Sequence, residues 1–517
     1  MSVLNRTVSN SCECNRFRWL YAQWHSLSQS SNFISTKRPK WHGICASLLA
    51  SFTLPKELFV QNVSSDSSSD TFNSAFDLLS QWADVNFADT IQPLGPATVY
   101  TTSVTLWLMI YQRLNPKASL KDAVAHFIKN APKGAKANKR LREGTLSTKG
   151  TSYSDARHRV SMATVLWLQN RVSDSIINST APSFNNQRVF LVDGTTFSLE
   201  PLSELRSVFP ASSNQHGESL WPTVLVVVAH ELSSGAALPP EIGAMYGENA
   251  ISETRLAEPL IKRLPTNSIV MADAGFGIYF IAHQAKKYGH NFVIRLTDAR
   301  FVALKKKAIL IDSTSTSRTY KLTWQPSAKE RANAKNLPDN CFVETTLYEL
   351  KIGTDLWMNV ATDLETTPKA IRELYTCRND VEIDIRNIKV VIDGETLLAK
   401  SEAMFRKEFA MSMVAYNLTT QLRRQAAVVA NCKPRELSFT GVWTIYRHFL
   451  QGEQFSGGDH LQAQFDLALR YASQQKLRKR PGRSFPREAY RKTSKSSNYK
   501  KRNPPEKPNE SKVPTPK

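Results

Sequence analysis

Cysteine is scarce in this 517-residue chain, which holds six: Cys12, Cys14, Cys45, Cys341, Cys377 and Cys432. Their spacing makes neither a disulfide framework nor a paired zinc knuckle. Cys12 and Cys14 could share a metal only with His42 and Cys45, at irregular intervals. Cysteines without evident partners suit a reducing compartment, so a cytoplasmic location is expected. No uninterrupted apolar run reaches the roughly 18 residues of a membrane span, so no membrane partner is expected. The polar N-terminus carries no secretory leader pattern. Acidic residues are also in deficit, 45 Asp and Glu against 67 Lys and Arg, for a formal net charge of +22. That imbalance points to an anionic partner, with nucleic acid the first candidate.

What is present supports a folded protein of two or three domains: 41% hydrophobic residues and ten tryptophans allow a real core. The positive charge is uneven. From Lys476 to Lys517 fifteen Lys or Arg stand against three Glu, and the rest of the chain is still basic. The tail 475–517, rich in Lys, Arg, Pro and Ser, is expected to be disordered. Residues 1–53 show no clear period and stay unassigned, disorder being one reading. Residues 54–180 read as helical: "TVYTTSVTLWLMIYQRL" is a buried helix and "SLKDAVAHFIKN" a Ser-capped one. Between them and "SYSDARHRV" lies a basic loop from Lys133 to Arg142, including Lys139, Arg140 and Arg142. A helix starting near Ser154 would put Arg157 and Arg159 in its first turn. This region reads either as a DNA-binding domain or as a charged, solvated surface.

The pattern changes at residue 186. "RVFLVDGTTFSL", "LWPTVLVVVAHE" and "SIVMADAGFG" are strands, "SETRLAEPLIKRL" and "IYFIAHQAKKYG" helices, and "NFVIRL" a further strand. Such alternation predicts an α/β sheet over 186–300. Residues 301–362 break it with short β runs and read as a β-rich insertion. From 363 to 455 the chain is helical again, with Thr367 as a cap and Pro368 at the first helical position.

Asp193 and Asp273 each directly follow an apolar strand, and ligands of α/β sheets sit beyond strand carboxyl ends. An Asp-Gly pair can also be an ordinary turn. Two such carboxylates plus one from a helix can bind Mg²⁺, which takes oxygen ligands and keeps waters for a phosphate substrate. A pair of such ions can activate a water or a 3′-hydroxyl. Glu382 is the natural third carboxylate. Tyr375, Arg378, Glu382 and Lys389 lie at steps of three, four and seven, within an arc of roughly 60° on an ideal helix. Alone, this stripe fits a solvated face with an i,i+4 pair. Beside the two aspartates it fits a metal-binding glutamate flanked by Arg378 and Lys389 for DNA phosphates, with Tyr375 adding a hydroxyl contact.

The set reads Y-x2-R-x3-E-x6-K and resembles the signature of the bacterial DDE transposases of the "insertion sequence four" family. "LVDGTTFSL" and "VMADAGFG" resemble that family's first and second Asp segments; "MVAYNLTTQLRRQAA", "PRELSF" and "SYSDARHRV" are similar to its flanking helical regions. The resemblance covers roughly residues 54–455. Asn379 departs from it, since relatives often carry an aromatic there. It implies an RNase-H-like catalytic core with a β-rich insertion, preceded by a helical DNA-binding domain. It also implies Asp193, Asp273 and Glu382 as catalytic and metal-binding residues, with Mg²⁺ as cofactor and Mn²⁺ able to substitute. The implied activity is cut-and-paste transposition between terminal inverted repeats, including a hairpin step, by a homodimer in a synaptic complex. The implied partners are terminal-repeat and target double-stranded DNA, in a bacterial cytoplasm at the nucleoid. Arg295 stands where the family often has a basic residue near the site. Trp357 resembles an insertion-domain tryptophan that stacks on a flipped base, and Trp324 is a second candidate; a sheet-core tryptophan is the bland alternative for both. Two other functions remain open: a metal-dependent nuclease without strand transfer, and a catalytically silent DNA-binding regulator.

Overall fold

Four consecutive apolar residues, Val189–Val192, open strand β1 (Val189–Ser198), and all four are buried. Uninterrupted apolar runs suit strands covered on both faces. The same holds for β4 (Ile269–Ala272) and for the centre of β5 (Asn291–Arg295). In the computed structural model the described residues are 82–478, apart from 132–134, 136, 216, 334–336, 393, 395–396, 398 and 453–456. They belong to one unit, Thr71–Lys517; a second unit, Met1–Asp70, lies outside them. So do Cys12, Cys14, His42, Cys45, Lys133 and the tail beyond residue 478.

The fold is mixed α/β around one large sheet. Its other strands are β2 (Thr223–Glu231), β3 (Glu241–Ala244), β6 (Ile309–Ser313), β7 (Ser317–Trp324), β8 (Val343–Lys351) and β9 (Trp357–Thr362). The order across the sheet is β3-β2-β1-β4-β5-β9-β8-β7-β6. β1, β4 and β5 are parallel; β2 runs antiparallel to β1, and β9 antiparallel to β5.

Among the described residues, the segment before β1 is helical in its regular structure. Helix α1 (Thr102–Leu114) is buried almost throughout, and α2 (Leu120–Asn130) starts at a Ser119–Asp122 capping box. The short, exposed α3 (Lys139–Arg142) follows, then α4 (Thr151–Arg159) and α5 (Met162–Asn178). Helices α6 (Glu253–Lys262) and α7 (Tyr279–Lys287) make the crossovers into β4 and β5. After the sheet come α8 (Pro368–Thr376), α9 (Asp380–Arg386) and α10 (Glu402–Val429). Thr367 caps α8 by accepting from the Ala370 N–H at 3.2 Å. Helix α10 packs on α1 and α5, burying Phe405, Phe409, Met413 and Tyr416.

Three features differ from the sequence expectation. Asp193 is not at the end of its strand: β1 continues to Ser198 because β2 pairs with it along its whole length. The segment 301–362 does not stand apart, since β9 pairs with β5 from Val360↔Arg295 to Thr362↔Val293 and extends the same sheet. Its first residues are helical, Asp298–Lys305, behind a Thr297 cap. Helix α4 begins at Thr151, so Arg157 and Arg159 fall in its last turn rather than its first.

Candidate active site

The register of β1 and β4 sets the geometry. Val192 pairs with Ala272, so Asp193, within β1, and Asp273, directly after β4, stand side by side on adjacent parallel strands. Backbone amides fix both carboxylates: Gly194 N–H donates to Asp193 Oδ1 at 2.9 Å, and Gly275 N–H to Asp273 Oδ1 at 2.9 Å. Helix α9 lies against β1 and brings in Glu382.

Arg378 joins all three acids. Its guanidinium is 2.8 Å from Asp193 Oδ2, 2.6 Å from Glu382 Oε1 and 3.8 Å from Asp273 Oδ2. Burial pushes the Asp193 carboxyl up to about 6; Arg378 opposes this, while Asp273 and Glu253 add to it. Glu253, at the start of α6, does not stand out in the sequence. Its carboxyl is raised by burial and by Asp273. The signal for it is Gly194, where a Cβ would lie 2.5 Å from Glu253 Cδ. The glycine lets a fourth carboxylate pack against the strand.

Three carboxylates converging on one cationic group are the donor chemistry that a hard divalent ion requires. They fit such an ion in kind. The side chains close on Arg378 rather than on one another, and among the described residues no three His, Cys, Asp or Glu side chains converge closely enough to hold an ion.

The helical stripe is less regular than an ideal helix. Arg378 lies in a 3₁₀ turn, Cys377–Asn379, Glu382 in α9, and Lys389 in a π-helical turn, Asn387–Val391. Such turns recur at functional sites. Lys389 Nζ donates to the Thr196 carbonyl at 2.7 Å and lies 4.9 Å from the Phe197 ring centre. Tyr375 turns inward, with 7% of its surface exposed and its hydroxyl 3.4 Å from the carbonyl oxygen of Ala272, the residue before Asp273. Burial pushes its phenol up to about 12. It supports the strand end and is not displayed to a DNA backbone.

The other sequence candidates divide. Arg295 is exposed at the end of β5, and its charge reaches Tyr375. Lys139, Arg140 and Arg142 are exposed on α3. Arg157 is a correction: it is buried in an ion pair with Glu408 of α10, and its carbonyl accepts from Lys407. A helix face packed on α10 leaves it no access to DNA. Trp324 is a core residue, 4% exposed and edge-on to Tyr279. Trp357 is half-buried with the Arg318 guanidinium 5.0 Å from its ring centre. Because β9 is antiparallel to β5, Trp357 lies three residues, about 10 Å, past Arg295. That is the end of the sheet at which Asp273 lies. No described helix is long and apolar enough to cross a membrane.

Residues 185–418 match the family model described as "Transposase DDE domain". The chain is also similar to the protein in a solved piggyBac transposase synaptic complex with hairpin DNA. The identity is 10% and the TM-score 0.38, over 83% of this chain and 87% of that one. No curated protein matches it. The chain carries a transposase DDE domain, and DNA transposition is the enzymatic function this domain supports.

Proposed function

We propose that the transposase DDE domain of this chain cuts DNA at the ends of a mobile element and joins them to target DNA. We further propose that Asp193, Asp273 and Glu382 are its catalytic acids, and that the chain is of the "insertion sequence four" type. The observation that carries the site is the gathering of these three carboxylates, from two strands and a helix, around Arg378. The order β3-β2-β1-β4-β5, with β2 antiparallel to β1, supports an RNase-H-like core.

In this reading Asp193, Asp273 and Glu382 would hold Mg²⁺, which would supply activation of a water or a 3′-hydroxyl and charge stabilisation at the leaving oxygen. The chain's own work is positioning and charge complementarity. Arg378 and Lys389 face the phosphate beside the acids, Arg295 borders it, and Trp357 offers an aromatic face to a base displaced from the duplex. The exposed α3 cations hold terminal-repeat DNA. A first cut frees a 3′-hydroxyl, which attacks the opposite strand to give a hairpin; after reopening, the 3′ ends attack target DNA. Two copies pair the two element ends.

Incubating the gene's own flanking DNA ends with the protein and Mg²⁺ tests this, with Glu382→Gln alongside. End-specific 3′-hydroxyl cuts and joined products from wild type only are expected. Cuts without joined products would leave a nuclease. Binding without cutting by either protein, in Mg²⁺ or Mn²⁺, would leave a silent DNA-binding protein.

A further inference from the structure

Asp380 and Asp384 lie two residues to either side of Glu382, on the opposite face of α9. At about 100° per residue they are roughly 40° apart, and Glu382 points about 160° away from each. Both are gripped by one side chain. Arg435, from the "PRELSF" segment, places Nη2 at 2.8 Å from Asp384 Oδ2 and Nε at 3.5 Å from Asp380 Oδ2. Its Nε also donates to the Leu232 carbonyl at 2.8 Å, directly after β2. Asp384 is fully buried and has His230 of β2 at 3.6 Å.

The loop that Arg435 holds is itself fixed. Tyr416 of α10 donates to the Gly235 carbonyl at 3.0 Å, and Asn417 makes two bonds of 2.8 Å with the backbone of Ala237. Arg423 anchors the Arg435 segment through the Leu437 carbonyl at 2.9 Å. The apolar packing of α9, through the buried Val381, is non-directional and tolerates sliding. A charge-assisted bond to Asp384, an ion pair with Asp380 on the same face and a bond to a fixed carbonyl do not.

We propose that Arg435 is a positioning residue for Glu382: by clamping Asp380 and Asp384 to the end of β2, it sets the rotation of α9 that turns Glu382 toward Asp193. This rests on the assignment of Glu382 as a catalytic acid. A lysine cannot reproduce the clamp, because one ammonium lacks the guanidinium's spread donors. Glu382 then samples rotations that miss the reacting phosphate, and displacements of ångström scale are costly in rate.

The test is single-turnover cleavage at saturating end DNA by wild type, Arg435→Lys, Glu382→Gln and the double variant. DNA affinity and thermal unfolding are measured on the same samples. Asp380→Asn, which loosens the longer prong, serves as a milder variant should Arg435→Lys fail to fold. Arg435→Lys is expected to cut ~10–100-fold more slowly with DNA affinity near wild type. In the Glu382→Gln background it should add nothing further, since it acts through that residue. If Glu382→Gln alone leaves the rate unchanged, the assignment of Glu382 falls and this proposal with it. If Glu382→Gln slows cleavage but Arg435→Lys does not, or the two losses add, the proposal alone is overturned.

Discussion

Arg378 donates to Asp193 Oδ2 at 2.8 Å although 185 residues separate the two in the chain. The guanidinium is the main opponent of the upward push on the Asp193 carboxyl, which stands at about 6. A carboxyl raised above its ordinary value, near 3.9, favours folding in its protonated form. Its contribution is complete below about 4 and is lost as pH rises through about 6. Arg378→Gln removes the opposing charge and leaves Asp193, Asp273 and Glu382 facing one another. The variant should therefore lose more thermal stability at pH 8 than at pH 5.5, relative to wild type, and millimolar Mg²⁺ at pH 8 should restore part of the loss. Scanning fluorimetry at the two pH values, with and without Mg²⁺, decides it; equal losses at both would contradict the charge argument.

Two sets of cations near one another in sequence should fail in different ways. Replacing exposed Lys139, Arg140 and Arg142 together by Ala should weaken DNA binding and flatten its salt dependence, by up to about 0.9 in log–log slope for each phosphate left without its cation. Stability should change little. Arg157→Met strips the partner from buried Glu408 and should cost about 3–5 kcal/mol of stability, as breaking buried pairs does. The DNA affinity of the molecules that remain folded should be near wild type. Salt titrations of DNA binding beside denaturant unfolding separate the two.

The contrast shows what the sequence can carry. Asp193 and Asp273 are legible because parallel strands covered on both faces must be apolar without a break, so a carboxylate after such a run stands out. Glu382 is legible through its spacing to Arg378. Arg157 is not, because one cation on a helix looks the same whether it meets water or a glutamate 251 residues away. Tyr375 fits the helical stripe, yet it is buried, with its hydroxyl near the Ala272 carbonyl at the end of β4. The Arg435 clamp is hidden because its partners come from three separated segments, and Asp380 and Asp384 look like solvated acids until the fold buries one of them. The extent of β1 depends on a partner strand that no local pattern announces.

The "ADAGFG" segment carries a backbone constraint. A Cβ at Gly277 would overlap the carbonyl oxygen of Arg295, a backbone atom that cannot rotate away. Gly277→Ala should push the end of β5 from the Asp273 turn and lower stability by about 1–3 kcal/mol, as overpacking does. Gly289→Ala is the control. There a Cβ meets nothing within 4 Å, and the cost comes only from a φ of +77°. Gly277→Ala should lower cleavage per folded molecule and Gly289→Ala should not. Equal cleavage by the two would mean that the β5 end does not shape the site.

The tryptophans of the β6–β9 segment make the last comparison. Trp324 is enclosed beside Tyr279, so Trp324→Ala should cost about 3–5 kcal/mol of stability. Trp357 is half-buried with Arg318 over its ring, toward the end of the sheet that carries Asp273. Trp357→Ala should cost less stability but weaken the step that needs an unstacked base, by about 1–3 kcal/mol. Trp357→Phe keeps an aromatic face and should recover most of that loss. The informative substrate is an end already nicked on one strand, which isolates attack of the 3′-hydroxyl on the opposite strand. A Trp357→Ala protein that performs this step at the wild-type rate, while remaining folded, would place the tryptophan outside the DNA path and leave it as a packing residue of β9.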